Sequence, residues 1–348
     1  MDILSLVRFI LLLSILIFVH EGGHFLMAKL SGVKVEEFGF GLPPRLWGKR
    51  VGGTIYSLNL LPIGGFVRMK GEMGETLGFG SSDSFAVQSK VKRVLIVGAG
   101  VLGNLVLAWI IFSVLAGLGT SVPAGKVLVQ EVRKDSPAAV AGISAGDFIL
   151  SFEGKKTETA EALSQITREN LGQASVLEVE SGGQIGSVIV IPRADPPEGE
   201  GSLGVIIISA VKETQVSFWR APFSGLVYTF QALGDMVGGF GRILVNLFRG
   251  VEVQVGGPVA IYALTEMYAS GGLKIFAQFT ALLSLNLVVL NLLPIPALDG
   301  GRILFIALEA IRRKKLSPRV EQMINSLGFA FLLLLIALIT LRDIQTFF

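Results

Sequence analysis

The sequence predicts a polytopic α-helical membrane protein with a soluble, mixed α/β domain inserted between its helices. Of 348 residues, 51% are hydrophobic and only 16% charged, and the mean hydropathy is +0.66, outside the range of soluble globular chains. Four stretches, roughly 3–28, 94–118, 277–308 and 324–341, are apolar for about the 20 helical residues that cross a hydrocarbon core. Between the second and third stretches the pattern turns to short strand-like runs broken by turn formers.

The first stretch is expected to stay in the protein. A cleaved signal peptide begins with a basic region and ends on small residues, whereas here there are only Asp2 and a lone Arg8, with no such ending. Ten Lys or Arg fall between the first two spans, at residues 29–93, and Arg312, Arg313, Lys314, Lys315 and Arg319 follow the third. The excess of positive charge puts both loops in the cytoplasm, so the N-terminus, residues 119–276 and the C-terminus are expected outside. A net charge of +3 is accounted for by these loops, and no nucleic-acid partner is expected. The chain has no cysteine, which excludes disulfides and thiolate metal sites.

The outer segment contains the soluble module, residues 122–210. Lys126–Arg133 is strand-like, Ser136-Pro137-Ala138-Ala139 opens a short helix, Gly146-Asp147 turns into a strand at Phe148–Phe152, and Gly154-Lys155 reads as a hairpin turn. This order resembles a PDZ domain of the bacterial type found in membrane and envelope proteases. The resemblance implies an extended peptide or chain terminus bound alongside a strand. Residues 192–202 are expected as a loop before a last strand, Leu203–Ile208. The next segment, 211–276, is expected to be amphipathic and interfacial, with Arg220, Asp235, Arg242 and Arg249 scattered through 218–250.

Both histidines of the chain lie in Phe-Val-His-Glu-Gly-Gly-His-Phe, residues 18–25. On a helix, His20 and His24 share one face, and Glu21 lies beside whatever they hold. This is the His-Glu-x-x-His arrangement of zinc hydrolases, with two ligands and a carboxylate acting on water. Two imidazoles and a carboxylate inside a span are costly, so they point to function. A catalytic zinc takes three protein ligands. With no further His and no Cys, the third is a carboxylate, and Asp299 in Asn291-Leu-Leu-Pro-Ile-Pro-Ala-Leu-Asp-Gly-Gly-Arg302 is the candidate. Broken backbone at membrane depth, as these prolines and glycines imply, is tolerated where it lines a cavity. Depth agrees: His20 lies about 25 Å of helix below Ile3, and Asp299 roughly 30 to 35 Å below Phe276 if wholly helical.

With the His20-Glu21-x-x-His24 motif, the Asn291-x-x-Pro294-x-Pro296-x-x-Asp299-Gly300 motif and the intervening PDZ-like module, the chain resembles the site-2 protease family of intramembrane zinc metalloproteases. Within that family it resembles the bacterial regulator of sigma-E protease type. Phe38–Pro44 and Tyr56–Val67 match the family's cytoplasmic, membrane-associated β element. The expected division of the chain is 1–118 with the first two helices and the β loop 29–93, the module 122–210, the interfacial 211–276, and 277–348 with the last two helices. The resemblance implies Zn2+ on His20, His24 and Asp299 and Glu21 as the base. Gly64, Gly65, Phe66 and Val67 would pair with an extended substrate, and Asn291 would bind substrate backbone or the oxyanion. Substrates would be transmembrane proteins of the bacterial inner membrane, such as anti-sigma factors and signal-peptide remnants, with the outer module excluding bulky ectodomains. Two departures stand out. One module replaces the tandem pair of the best-known relatives, and Ala99-Gly100-Val101 lacks the family's usual proline, although Asn104 remains to support the site or to pack between helices. A PDZ membrane scaffold and a metal transporter are the alternatives from other classes.

Overall fold

The computed structural model describes residues 3–72, 81–197, 200–251, 256–314 and 317–347. Lys315 and residues 198–199 of the expected loop lie outside these. In chain order the elements are α1 (Ile3–Leu30), β1 (Val35–Val51), β2 (Thr54–Met69), α2 (Lys90–Leu118), β3 (Thr120–Val132), α3 (Pro137–Val140), β4 (Phe148–Phe152), β5 (Lys155–Lys156), α4 (Ala160–Glu169), β6 (Ser175–Ser181), β7 (Gln184–Val190), β8 (Val205–Thr214), α5 (Ala221–Phe248), α6 (Pro258–Ser270), α7 (Leu273–Leu292), α8 (Asp299–Arg312) and α9 (Pro318–Phe347). They form two compact units, residues 1–116 with 217–348 and residues 117–216.

Among the described residues of the first unit, four helices are long and apolar enough to cross a membrane: α1, α2, α7 and most of α9. α1 buries Leu12, Leu16, His20, His24 and Ala28, and α2 buries Ile96, Gly100, Asn104, Ala108, Phe112 and Ala116. Each is a row of every fourth residue, so each helix offers one continuous stripe to its neighbours. The two stripes meet at very short range because glycines stand where the backbones touch. A Cβ on Gly23 would run into the Ala99 carbonyl, and one on Gly103 would lie 2.8 Å from the Val19 carbonyl oxygen. α7 closes the group, with Phe279 packed on Leu12 and Leu16 of α1, and Ala281 and Leu285 on Ala108 and Phe112 of α2.

The third apolar stretch, expected as an interrupted span over 277–308, is two helices. α7 stops at Leu292, Pro294 and Pro296 occupy the connection, and Asp299 is the first residue of α8 rather than part of the span helix. Proline removes helix donors and disfavours helical backbone before it, which ends α7. Gly300 and Gly301 then allow α8 to start against the connection, since Cβ atoms there would collide with the carbonyls of Leu292, Leu293 and Ile295. The Ala297 N–H donates to Asn325 Oδ1 of α9 at 3.1 Å, fixing the loop from outside.

Residues 211–276 also carry two separate helices rather than one amphipathic segment. α5 lays Tyr228, Ala232 and Met236, again every fourth residue, on the α2–α7 cluster. α6 packs Ile261 and Tyr268 against Leu12, Leu16 and Phe279. Gly257, the residue that caps α6, has no side chain, and Asp343 of α9 accepts hydrogen bonds from Gly257 N at 2.9 Å and Ala260 N at 3.0 Å in its place.

The second unit has a six-stranded antiparallel sheet in the order β7-β6-β4-β3-β8, with β5 on β4. Its last strand is Val205–Thr214, later than the expected 203–208, because it pairs along the full length of β3 from Thr120 to Val132. Val127, Val129, Ile149, Phe152, Leu163 and Leu177 form a fully buried core. Ser136 caps α3 by accepting from Ala139 N at 3.1 Å, and Gly182-Gly183, both at positive φ, make the β6–β7 turn.

Candidate metal centre

His20 and His24 point from α1 toward the start of α8. His20 Nε2 lies 3.1 Å and His24 Nε2 3.4 Å from Asp299 Oδ2, and the two Nε2 atoms are 3.2 Å apart. The side chains are only 10% to 11% exposed. The sequence expectation that these three meet is thus realised, although Asp299 arrives from α8 and not from the span helix.

The donor set fits a divalent cation. His24 Nδ1 is 2.9 Å from the Ile96 carbonyl oxygen; a carbonyl only accepts, so Nδ1 carries a proton, and the neutral ring then offers its Nε2 lone pair to an ion. Asp299 Oδ2 is buried with no hydrogen-bond donor among the described residues. Lone pairs crowded at one point repel unless a proton or a metal cation lies among them. Ligand atoms around tetrahedral zinc, with bonds of about 2.0–2.2 Å, are separated by roughly 3.3–3.5 Å, close to the spacings here. Gly100 makes the space: a Cβ there would strike His24 Nε2 and lie 2.8 Å from His20 Cε1.

Glu21 projects beside the trio and accepts from the Val67 backbone N–H at 3.1 Å. β2 runs along α1 to reach it. Ser14 Oγ donates to the Pro62 carbonyl at 2.7 Å, Gly64 packs on Ile17, and Gly65 sits between Phe18, Glu21 and the Gly39 carbonyl. Phe18 and Phe25 stack on Phe38, anchoring the sheet to α1. Phe38 opposes both Val67 and Tyr56, and Phe40 opposes both Gly65 and Leu58. The first half of β1 therefore lies between the two halves of β2, leaving residues 65–69 as an outer edge beside Glu21. Phe66 is in that edge, opposite Gly39. Asn291 is half-buried on the last turn of α7, and among the described residues no hydrogen bond joins it to the trio.

Sequence reasoning missed two supports. Arg302, one turn after Asp299, pairs with Glu72, whose carboxylate also accepts from Met69 N at 3.2 Å, tying α8 to the end of β2. At the other end of α8, buried Glu309 pairs with Arg93 of α2 at 2.6 Å. Each joins charges more than 200 positions apart, and only the presence of charge in an apolar setting hints at either.

Residues 8–335 match Peptidase family M50. The chain belongs to that family. A Clostridium perfringens protein is 36% identical over 341 residues, covering 96% of this chain and 97% of that one. The zinc metalloprotease RasP of Geobacillus kaustophilus is 29% identical, covering 99% and 98%, and the regulator of sigma-W protease RasP of Bacillus subtilis is 28% identical, covering 99% of both. The alignment with the Geobacillus protein runs over 420 positions against the 348 residues here, so that relative has stretches without counterpart in this chain. Solved PDZ domains of SdrC-like proteins from Listeria monocytogenes and Listeria innocua align with 25% and 27% of the chain and 93% and 98% of their own length. Their identities are 20% and 19%, with TM-scores of 0.23 and 0.21. Membership in a peptidase family sets aside the scaffold and the metal transporter.

Proposed function

We propose that this peptidase is a zinc-dependent intramembrane protease in which His20, His24 and Asp299 hold the ion and Glu21 is the acid–base group. The reading rests on three donor atoms, two from one span helix and one from α8, lying within 4.8 Å of one another at a buried point. Zinc, when bound, polarises a carbonyl oxygen and makes a water acidic enough to lose its proton near neutral pH. Glu21 takes that proton and returns it to the leaving amine. The Val67 N–H holds one Glu21 oxygen, leaving the other for this work.

A peptide bond inside a transmembrane helix is protected by its own hydrogen bonds, so the substrate must unwind before it is cut. The outer edge at Gly64–Val67 offers replacement backbone partners right beside Glu21. Asn291 is the candidate to hold substrate backbone or the oxyanion. The basic loops favour a site on the cytoplasmic side of a bacterial inner membrane, with residues 117–216 and both termini outside. In the sheet unit β8 is an edge strand with α4 beside it, and Ala160, Ser164, Arg168 and Ile207 line the cleft between them. That arrangement suits a PDZ-type groove for a peptide or chain terminus. Transmembrane anti-sigma factors and signal-peptide remnants are the substrates that fit.

The test is purified protein with a single-span substrate in lipid. Glu21→Gln should lower turnover about 10²- to 10⁴-fold while still binding one zinc per chain, and chelation should stop cleavage reversibly. Cleavage that survives both treatments would overturn the assignment.

A further inference from the structure

The two imidazoles are one turn apart on α1, yet only one is anchored. The His24 Nδ1–H donates to Ile96 O at 2.9 Å, whereas His20 Nδ1 is buried with no hydrogen-bond partner among the described residues. A metal-bound imidazole depends on a partner at its other nitrogen, which fixes the ring and its tautomer. The facing stripe of α2 supplies Ile96, then Gly100, then Asn104. The Ile96 carbonyl serves His24. Gly100 gives room to both rings, its Cβ position lying 2.8 Å from His20 Cε1, the ring carbon between Nδ1 and Nε2.

Asn104 is the next position on that stripe. It is 0% exposed, and both its Nδ2 and Oδ1 lack a partner among the described residues. It stands level with His20, because the neighbouring Gly103 touches the Val19 carbonyl. Its own carbonyl accepts from Ser284 Oγ of α7 at 2.8 Å, so the backbone at this turn is pinned. A residue needed only for close packing would be small or apolar; a buried amide with both ends unpaired is costly. Two such unpaired groups on facing turns answer each other.

We propose that Asn104 is the positioning partner of His20: its Oδ1 accepts the Nδ1 proton, directly or across one water, and so aims the Nε2 lone pair at the ion. This rests on the proposed zinc site. The chain has only two histidines, so protein labelled with 15N-histidine gives just two imidazole spin systems. In the zinc-loaded full-length protein in lipid nanodiscs, Asn104→Leu should shift the His20 Nδ1–H signal and speed its exchange with water while leaving that of His24 in place. Zinc affinity, measured by chelator competition, should fall about 10- to 100-fold, and Asn104→Asp should recover most of it. Asn104→Ala provides the same readouts if the leucine variant does not fold. An unmoved His20 signal with unchanged affinity in the folded variant overturns the proposal; a parent chain that binds no zinc overturns the metal site itself.

Discussion

The two compact units differ most in the charged and imidazole groups they bury. The sheet unit hides an apolar core of Val127, Val129, Ile149, Phe152, Leu163 and Leu177 and leaves ion pairs such as Arg133–Glu131 and Lys155–Glu169 about half-exposed. The helical unit also buries apolar side chains, such as Leu16, Ile96, Phe112 and Leu285. It buries His20, His24, Asn104, Ser284, Arg93 and Glu309 while Phe329, Leu334 and Leu338 of α9 face outward. Where the surroundings are lipid, apolar surface has little reason to turn inward, and close packing plus polar contact hold helices together. In the helical unit the proposed centre is built from such buried polar groups; in the sheet unit the buried polar groups are mainly hydroxyls, such as Ser151, Thr157 and Ser175.

The sharpest way to break this contrast is to remove the same amount of stability from each unit by different means. Glu309→Leu leaves Arg93 charged and unpaired in a buried position, a loss of about 3–5 kcal/mol. Phe152→Ala should cost the sheet unit a similar amount, about 3–5 kcal/mol, through a cavity. Thermal unfolding in lipid nanodiscs measures both. Zinc affinity should fall with the first, since α8 carries Asp299, and hold with the second; equal effects on zinc would erase the distinction.

Next in size is Gly100→Ala. The added methyl would occupy the space of the His24 ring, so zinc affinity should drop about 100-fold, some 2.7 kcal/mol, measured by chelator competition. Gly98→Ala on the same helix, where a Cβ meets nothing within 4 Å, should be silent. Two equally silent variants would show that ring position is not set by α2. Smaller again is Val67→Pro, which removes the N–H that holds Glu21. Cleavage should slow by about tenfold, the value of one hydrogen bond to a charged group, without loss of zinc. Unchanged turnover would detach the β2 edge from catalysis.

What the sequence disclosed follows the range of the forces involved. The four spans were legible from hydropathy alone. His20, Glu21 and His24 were legible because one helix sets their spacing, and Asp299 because few carboxylates stand near apolar stretches. The end of α7 at Leu292 was blurred, since Leu-Leu-Pro-Ile-Pro-Ala-Leu is as apolar as the helix before it. The pairing of Arg302 with Glu72, of Glu309 with Arg93 and of Asp343 with the start of α6 could not be read, because each depends on how distant helices pack. The double pairing of β1 was equally hidden, for strand partners are chosen by register rather than by composition.

The mildest perturbation separates the two units altogether. The core of residues 117–216 is its own, and the buried polar groups of the proposed centre all lie in the other unit. Replacing residues 122–210 by a short flexible linker should therefore leave zinc affinity unchanged and cleavage of a substrate with no ectodomain within a few-fold of the parent. What should change is selection: a substrate with a folded ectodomain, cut poorly by the parent, should be cut nearly as well as the trimmed one. The ratio of the two rates, measured side by side, is the deciding number. A ratio unmoved by the deletion would remove the filter role, and loss of cleavage on both substrates would mean that the sheet unit serves the chemistry after all.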